Sequence, residues 1–355
     1  MRTYLVLNYG SSSLKAALYK QDISLIEKYT ISDFNISNTE QILQNLLSRI
    51  NILPDVIIHR VVHGMDYKSP FLIDENGLNI LRFLAEINPL HNKISLKGIE
   101  FLMKRFPEKT HYAVFDTDFH STIPEYARVY GIDIDFYKQG LKKYGFHGIS
   151  YSYVLRKMCE LLSKNSPNLI ILHLGSGCSI CAIKEGKSID TSMGFSPLEG
   201  LIMQTRPGDI DPGLVLYLLK SHKINEEYFY FNSGLVSLAK INNFKELEKR
   251  YLSNEDLSIL AMEAFVYRIA KYIGSYYILF DSIDGIVFTG GIGENSSLIR
   301  NMVCEKTKPL GIEIDPQKNQ NNEILISSSK SKIPVYVIKT NEEEEMLLKV
   351  LNMKN

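Results

Sequence analysis

Two stretches of this chain repeat one unusual arrangement, and that repetition limits the fold more than any other feature. Tyr4-Leu5-Val6-Leu7 is an apolar run of strand length. Asn8-Tyr9-Gly10-Ser11-Ser12-Ser13 turns the chain, and Leu14-Lys15-Ala16-Ala17-Leu18-Tyr19 reads as a returning strand. Leu169-Ile170-Ile171-Leu172-His173-Leu174, Gly175-Ser176-Gly177 and Cys178-Ser179-Ile180-Cys181-Ala182-Ile183 repeat the scheme. Two copies of one hairpin predict an internally duplicated α/β domain. Backbone N–H groups in Gly/Ser turns form concavities that bind anions. Two such hairpins facing each other across a cleft would hold a polyphosphate from both sides.

A third glycine cluster, Gly290-Gly291-Ile292-Gly293-Glu294-Asn295, follows the apolar run Gly285-Ile286-Val287-Phe288-Thr289. Asn295 or Ser296 is placed to cap a following helix. Strand, glycine turn and helix start make a nucleotide-binding arrangement. The spacing is not GxGxxG, and GxxxxGK[ST] occurs nowhere, so neither a dinucleotide fingerprint nor a P-loop is supported. Near the end, Val335-Tyr336-Val337-Ile338 leads to Lys339-Thr340-Asn341 and four glutamates, Glu342 to Glu345. Asn341 reads as an N-cap, and acids in a first helical turn suit the helix dipole. A metal contact from one of them is the sharper alternative.

At 355 residues the chain is too long for one compact core and fits two domains. Lys+Arg and Asp+Glu both number 40. A balanced chain has no global field to hold nucleic acid or an anionic membrane. Among the four cysteines, Cys178 and Cys181 have CxxC spacing, but no second pair or nearby His completes a zinc set. They read as small core side chains on a strand. Free thiols, and a first strand with no leader-like segment before it, predict a cytoplasmic location. The apolar stretch Leu257 to Phe280 contains Glu263, Arg268 and Lys271, so it is a core helix and not a membrane span.

Four clusters carry groups suited to phosphoryl transfer. His59-Arg60-Val61-Val62-His63-Gly64 follows the apolar run Val56-Ile57-Ile58. An Arg at a strand end grips a carboxylate or phosphate through two N–H groups, or serves a structural salt bridge. Phe115-Asp116-Thr117-Asp118-Phe119-His120 ends another strand, where a carboxylate can hold Mg²⁺ through water or simply shape a turn. Tyr144-Gly145-Phe146-His147-Gly148 sets a His between glycines. A long loop holds Pro197-Leu198-Glu199-Gly200 and Thr205-Arg206-Pro207-Gly208-Asp209-Ile210-Asp211-Pro212, and loops of that length usually carry function. Phosphoryl transfer asks for cations and positioning rather than covalent work by the protein.

With these residues in this order, the chain resembles the acetate kinases, the acetokinase family. The likeness runs nearly from end to end. It rests on Leu7 to Lys15, His59 to Gly64, Phe115 to His120, Tyr144 to Gly148, Asp190 to Gly200, Gly208 to Pro212, Phe288 to Asn295 and Thr340 to Glu343. The resemblance implies an α/β fold of duplicated actin/hexokinase/Hsp70-like (ribonuclease H-like) domains with a central cleft. Residues 1–119 with 345–355 would form the N-terminal domain, and 120–344 the C-terminal domain with the nucleotide site. It implies reversible transfer between ATP and acetate, giving ADP and acetyl phosphate, with Mg²⁺ or Mn²⁺. It also implies small-molecule partners and a second copy of the chain in a homodimer.

Roles follow from the same resemblance. Asn8 and Glu342 would bind the metal. Asp116, His147 and Arg206 would be catalytic, Asp116 near metal and substrate, the other two stabilising charge on the moving group. Arg60 would hold the acid, with Val62, Leu90, Phe146 and Pro197 forming the pocket for its alkyl group. Lys15, His173, Leu174, Gly175, Ser176, Gly177, Asn243, Phe244, Lys245, Gly291, Ile292, Gly293, Glu294 and Asn295 would contact ATP. The chain departs from the family's pattern at Met65, Tyr151, Ser176, Gln204 and Pro207. It also has Asn243 and Lys245 where the family has Asp and Arg, and Lys cannot fork or stack as Arg does. A propionate kinase is the nearest alternative. A nucleotide-binding relative with weakened catalysis and a nucleotide switch of the actin or Hsp70 type are the others.

Overall fold

A computed structural model describes residues 2–10, 13–222 and 224–353. Ser11 and Ser12, the tip of the first glycine-serine turn, lie outside the described residues. The chain divides into two compact units. One is Met1–Ser121 with Phe146–Tyr153 and Asn341–Asn355; the other is Thr122–Gly145 with Val154–Thr340. The first unit thus includes Phe146–Tyr153 and residues 341–344, which the sequence boundaries gave to the second half.

The first unit is built on a six-stranded sheet: β1 (Thr3–Tyr9), β2 (Ser13–Lys20), β3 (Leu25–Ser32), β4 (Val56–Val61), β5 (Phe71–Leu72) and β6 (Thr110–Phe115). Their spatial order is β3-β2-β1-β4-β6-β5. β1 is buried along its whole length, as a central strand covered on both faces must be. Its side chains alternate between two cores. Leu5, Leu7 and Tyr9 pack with Phe34, Leu43, Leu46 and Leu102 on one face. Tyr4 and Val6 pack with Ile58, Val114, Met346, Leu347 and Val350 on the other. Those last three residues lie on the helix Glu342–Leu351, which covers that face.

The second unit holds β7 (Leu169–Leu174), β8 (Cys178–Lys184), β9 (Lys187–Thr191), β10 (Gly285–Thr289) and β11 (Val335–Val337), ordered β11-β10-β7-β8-β9. In each sheet a first strand pairs antiparallel with its hairpin partner and parallel with a later strand. The order β3-β2-β1-β4-β6 therefore matches β9-β8-β7-β10-β11, and the duplication expected from the hairpins is a duplication of topology. Cys178 and Cys181 are buried on β8 as core side chains. The helix expected over Leu257 to Phe280 spans Asp256–Tyr277 and buries Phe265, Val266, Ile269 and Ile273. No helix among the described residues is long and apolar enough to cross a membrane.

Candidate active site

In the first unit the parallel strands β1, β4 and β6 end side by side and present Asn8, Arg60 and Asp116. Arg60 lays its fork on Asp116: Nε donates to Oδ1 at 3.0 Å and Nη2 to Oδ2 at 2.6 Å. Its Nη1 donates to Asn8 Oδ1 at 2.9 Å and lies 3.9 Å from Glu342 Oε2. The Asn8 amide in turn donates to Glu342 Oε2 at 2.7 Å and Glu343 Oε1 at 2.8 Å. Lys28 closes the network on Glu343 at 3.0 Å. A guanidinium carries five N–H donors, and these contacts use one on each nitrogen, so two remain. Asn341 caps the helix that carries both glutamates, accepting from the Glu344 N–H.

The electrostatics of this set are strongly coupled. Burial raises the Asp116 carboxyl pKa against the pull of the Arg60 guanidinium, and Glu342 pushes it further up. Burial also works against the Arg60 charge, but Asp116 and Glu342 more than offset it and raise its pKa. The segment Phe146–Gly148 is pressed against both the backbone carbonyl and the side chain of Asp116. Gly148 N–H donates to Asp116 O at 3.0 Å, and a Cβ on Gly148 would lie 2.1 Å from that oxygen. His147 adopts φ 59°, a left-handed conformation that costs a non-glycine residue energy, and its backbone N–H bonds the Asp116 side chain. Phe146 is buried, its ring 5.5 Å from that of His63 and tilted 67° to it. Val62 and Leu90 are half-buried in this unit. Lys15 pairs across the hairpin from Asn8 and is exposed.

In the second unit the strand pairing brings the two glycine clusters together. Thr289 lies opposite His173, and a Cβ on Gly290 would come within 2.7 Å of Leu174 O. Gly290–Asn295 is itself a short helix, where the sequence reading expected a turn. Glu294 folds back to accept from Gly290 N–H at 2.9 Å and Thr340 N–H at 3.0 Å. Gly175 N–H donates to Gly177 O, and Ser176 O accepts from Gln204 N–H, so the Arg206 loop is tied to the hairpin turn. Arg206 is half-buried; Nη1 donates to Pro197 O at 3.4 Å, and burial brings its pKa down to about 10. Burial pushes the neighbouring Cys178 thiol up to about 12.

Some expected contacts have a local structural role instead. Asn243 caps the helix Phe244–Leu252, accepting from Glu246 N–H at 3.1 Å. Asn243 and Lys245 are exposed, with Phe244 half-buried between them. Met65 adopts φ 46°, so a glycine would be the less strained residue there. Gln204 Nε2 is buried with no hydrogen-bond partner among the described residues. Two residues of the site regions were given no role by the sequence reading. One is Glu343, which shares the Asn8 amide with Glu342. The other is Arg300, fully buried, whose five N–H groups all meet uncharged oxygens. Nε and one Nη2–H bond the side chain and backbone oxygens of Asn319. The remaining donors bond Gly293 O, Glu294 O and Asn322 Oδ1, fastening the end of the helix Gly290–Asn295.

The repeated sheet topology, with an acid-and-arginine set at the strand ends of one unit and glycine turns at those of the other, defines the class: a duplicated actin/hexokinase/Hsp70-like protein. The profile of the acetokinase family matches residues 27–348. The chain is 40% identical to the acetate kinase of Sulfurimonas denitrificans, with 97% of each chain covered. Its structure is similar to that of a propionate kinase from Francisella tularensis (TM-score 0.91, 36% identity, 98% and 99% of the two chains covered). It is also similar to the acetate kinase of Porphyromonas gingivalis (TM-score 0.86, 31% identity, 99% and 100% covered). The chain belongs to the acetokinase family.

Proposed function

We propose that this chain is an ATP-dependent kinase whose acceptor is the carboxylate of acetate, making acetyl phosphate and ADP reversibly. The observation that carries the reading is the Arg60 fork held on buried Asp116 beside Asn8 and Glu342, with two guanidinium protons left over for an acid. Arg60 would bind the acid, and Val62, Leu90, Phe146 and Pro197 would be the residues selective for its methyl group. Arg206 and His147 would face charge as it develops on the moving group, and the glycine turns would hold the nucleotide.

The first unit's oxygen donors suit a hard divalent cation such as Mg²⁺ or Mn²⁺, with Asn8 and Glu342 as its protein ligands. Among the described residues no three His, Cys, Asp or Glu side chains form a metal cage. Mg²⁺ usually keeps several waters and is bound through one or two protein groups plus substrate phosphates, so Asn8 and Glu342 would suffice. When bound, the ion supplies neutralisation of phosphoryl charge. The boundaries 1–119 with 345–355 and 120–344 remain part of this proposal, as does a cytoplasmic location. A homodimer is supported by the helix Pro212–Ser221. It is apolar yet buries no residue, and Leu216 is 68% and Tyr217 59% exposed.

Steady-state rates with acetate, propionate and butyrate test the substrate. Acetate should give the highest kcat/KM, with only modest discrimination, because one methylene is worth about 1–3 kcal/mol. A preference for propionate above roughly tenfold would transfer the reading to propionate, which the likeness to the Francisella tularensis structure supports as the second choice.

A further inference from the structure

Behind the acid-binding set, Tyr9, His59 and His111 form a line of hydrogen bonds. Tyr9 Oη is 2.9 Å from His59 Nδ1, and His59 Nε2 is 3.1 Å from His111 Nδ1. His111 Nε2 is 3.3 Å from Phe106 O. All three side chains are buried. The rings of Tyr9 and His59 are parallel within 3° and those of His59 and His111 within 11°. The line is held from outside as well. Phe34 stacks on Tyr9, and the helix Pro89–Arg105 comes so close that a Cβ on Gly98 would lie 2.7 Å from the Tyr9 ring.

The direction of every bond follows from its far end. A carbonyl oxygen only accepts, so His111 Nε2 carries the proton. A neutral imidazole then offers Nδ1 as acceptor, and His59 Nε2 must donate to it. The same rule leaves His59 Nδ1 to accept the Tyr9 hydroxyl proton. Burial lowers the pKa of both histidines, which keeps the rings neutral and the line intact.

This line crosses β1, β4 and β6, the strands that end in Asn8, Arg60 and Asp116. The ladder between β1 and β4 has its last pair at Leu7 and His59, one residue short of the site. Past that point the two strands are joined through side chains. Arg60 bonds Asn8 on one face, and Tyr9 bonds His59 on the other, because neighbours along a strand point to opposite faces.

We infer that Tyr9, His59 and His111 are positioning residues for the acid-binding half of the site, a strap that fixes the spacing of Asn8, Arg60 and Asp116. The inference rests on those three residues being the acid site of the proposed kinase. Tyr9→Phe tests it, since it keeps the ring and its packing and removes only the hydroxyl. In wild-type protein, nitrogen–proton correlation spectra of the imidazoles should show His59 and His111 both as the Nε2–H tautomer. In Tyr9→Phe both histidines should keep that tautomer, which is set from Phe106 O, while the His59 Nδ1 resonance shifts because it has lost its hydrogen-bond donor. The KM for acetate should rise about three- to tenfold while the KM for ATP stays within about twofold. An Nδ1–H tautomer at either histidine in the wild type overturns the strap. So does a Tyr9→Phe enzyme in which both KM values are unchanged or move together. If the wild type phosphorylates no short acid, the kinase reading fails on its own, and the tautomers still decide whether the strap exists.

Discussion

Replacing Asp116 by Asn separates what this carboxylate does for the fold from what it does for the reaction. The change keeps size and shape, so it opens no cavity. One of the two parallel bonds from Arg60, at 3.0 and 2.6 Å, becomes a contact between two donors. A hydrogen bond to a charged group is worth about 1.5–3 kcal/mol. Against that loss stands a relief. Burial raises the Asp116 pKa above that of the unfolded chain, so the folded protein takes up this proton more readily. Its stabilising contribution is complete below the unfolded value of about 3.9 and is lost as pH rises through the folded value. At neutral pH the buried charge is a cost that Asn does not carry. The net change in unfolding free energy at pH 7 should therefore be small, about 1 kcal/mol, or about 2–4 °C in Tm for a unit of this size. Loss of the fork's orientation should cut kcat at least about 10²-fold, the scale of removing one preorganised electrostatic partner. Urea unfolding and an acyl-hydroxamate assay on the same preparation measure both. A variant with kcat within tenfold of wild type removes Asp116 from the site. A variant that loses more than about 3 kcal/mol shows that the pair is chiefly structural.

Arg206→Lys should create a pH dependence that the wild type lacks. The guanidinium is brought down by burial to about 10 and stays charged at neutral pH. A lysine starts from about 10.4 and the same burial lowers it, so its charge is lost as pH rises. Its kcat should fall above roughly pH 8 while the wild-type profile stays level, and parallel profiles would contradict the role given to Arg206. Leu216→Asp, on the exposed helix Pro212–Ser221, should shift sedimentation from dimer to monomer without unfolding the chain. A wild type that sediments as a monomer at micromolar concentration ends the dimer proposal.

The features legible in the sequence are those set by near neighbours. Two hairpins with small turns and buried partner strands are local patterns, and both formed as β1–β2 and β7–β8. Asn341 before an acidic run is a cap by its own chemistry, and it caps. Ser296 likewise accepts from Ile299 N–H at 3.0 Å. The helix at Gly290–Asn295 was not legible, because Glu294 satisfies its start from within and glycines advertise a turn. Tyr9, His59 and His111 sit in separate strands, and only the sheet order makes them neighbours. Arg300 gave no signal because its acceptors are mostly backbone carbonyls and asparagines, which no charge pattern reveals.

That joint at Arg300 differs in kind from the one at Arg60. Around Arg60 the bonded network includes the carboxyls of Asp116, Glu342 and Glu343, so the guanidinium is matched by opposite charge. Around Arg300 every bonded acceptor is an amide or peptide oxygen, so that charge is met by dipoles alone. The clasp on the glycine helix therefore holds whatever the charge state of its neighbours, while the one at Arg60 depends on partners that stay ionised.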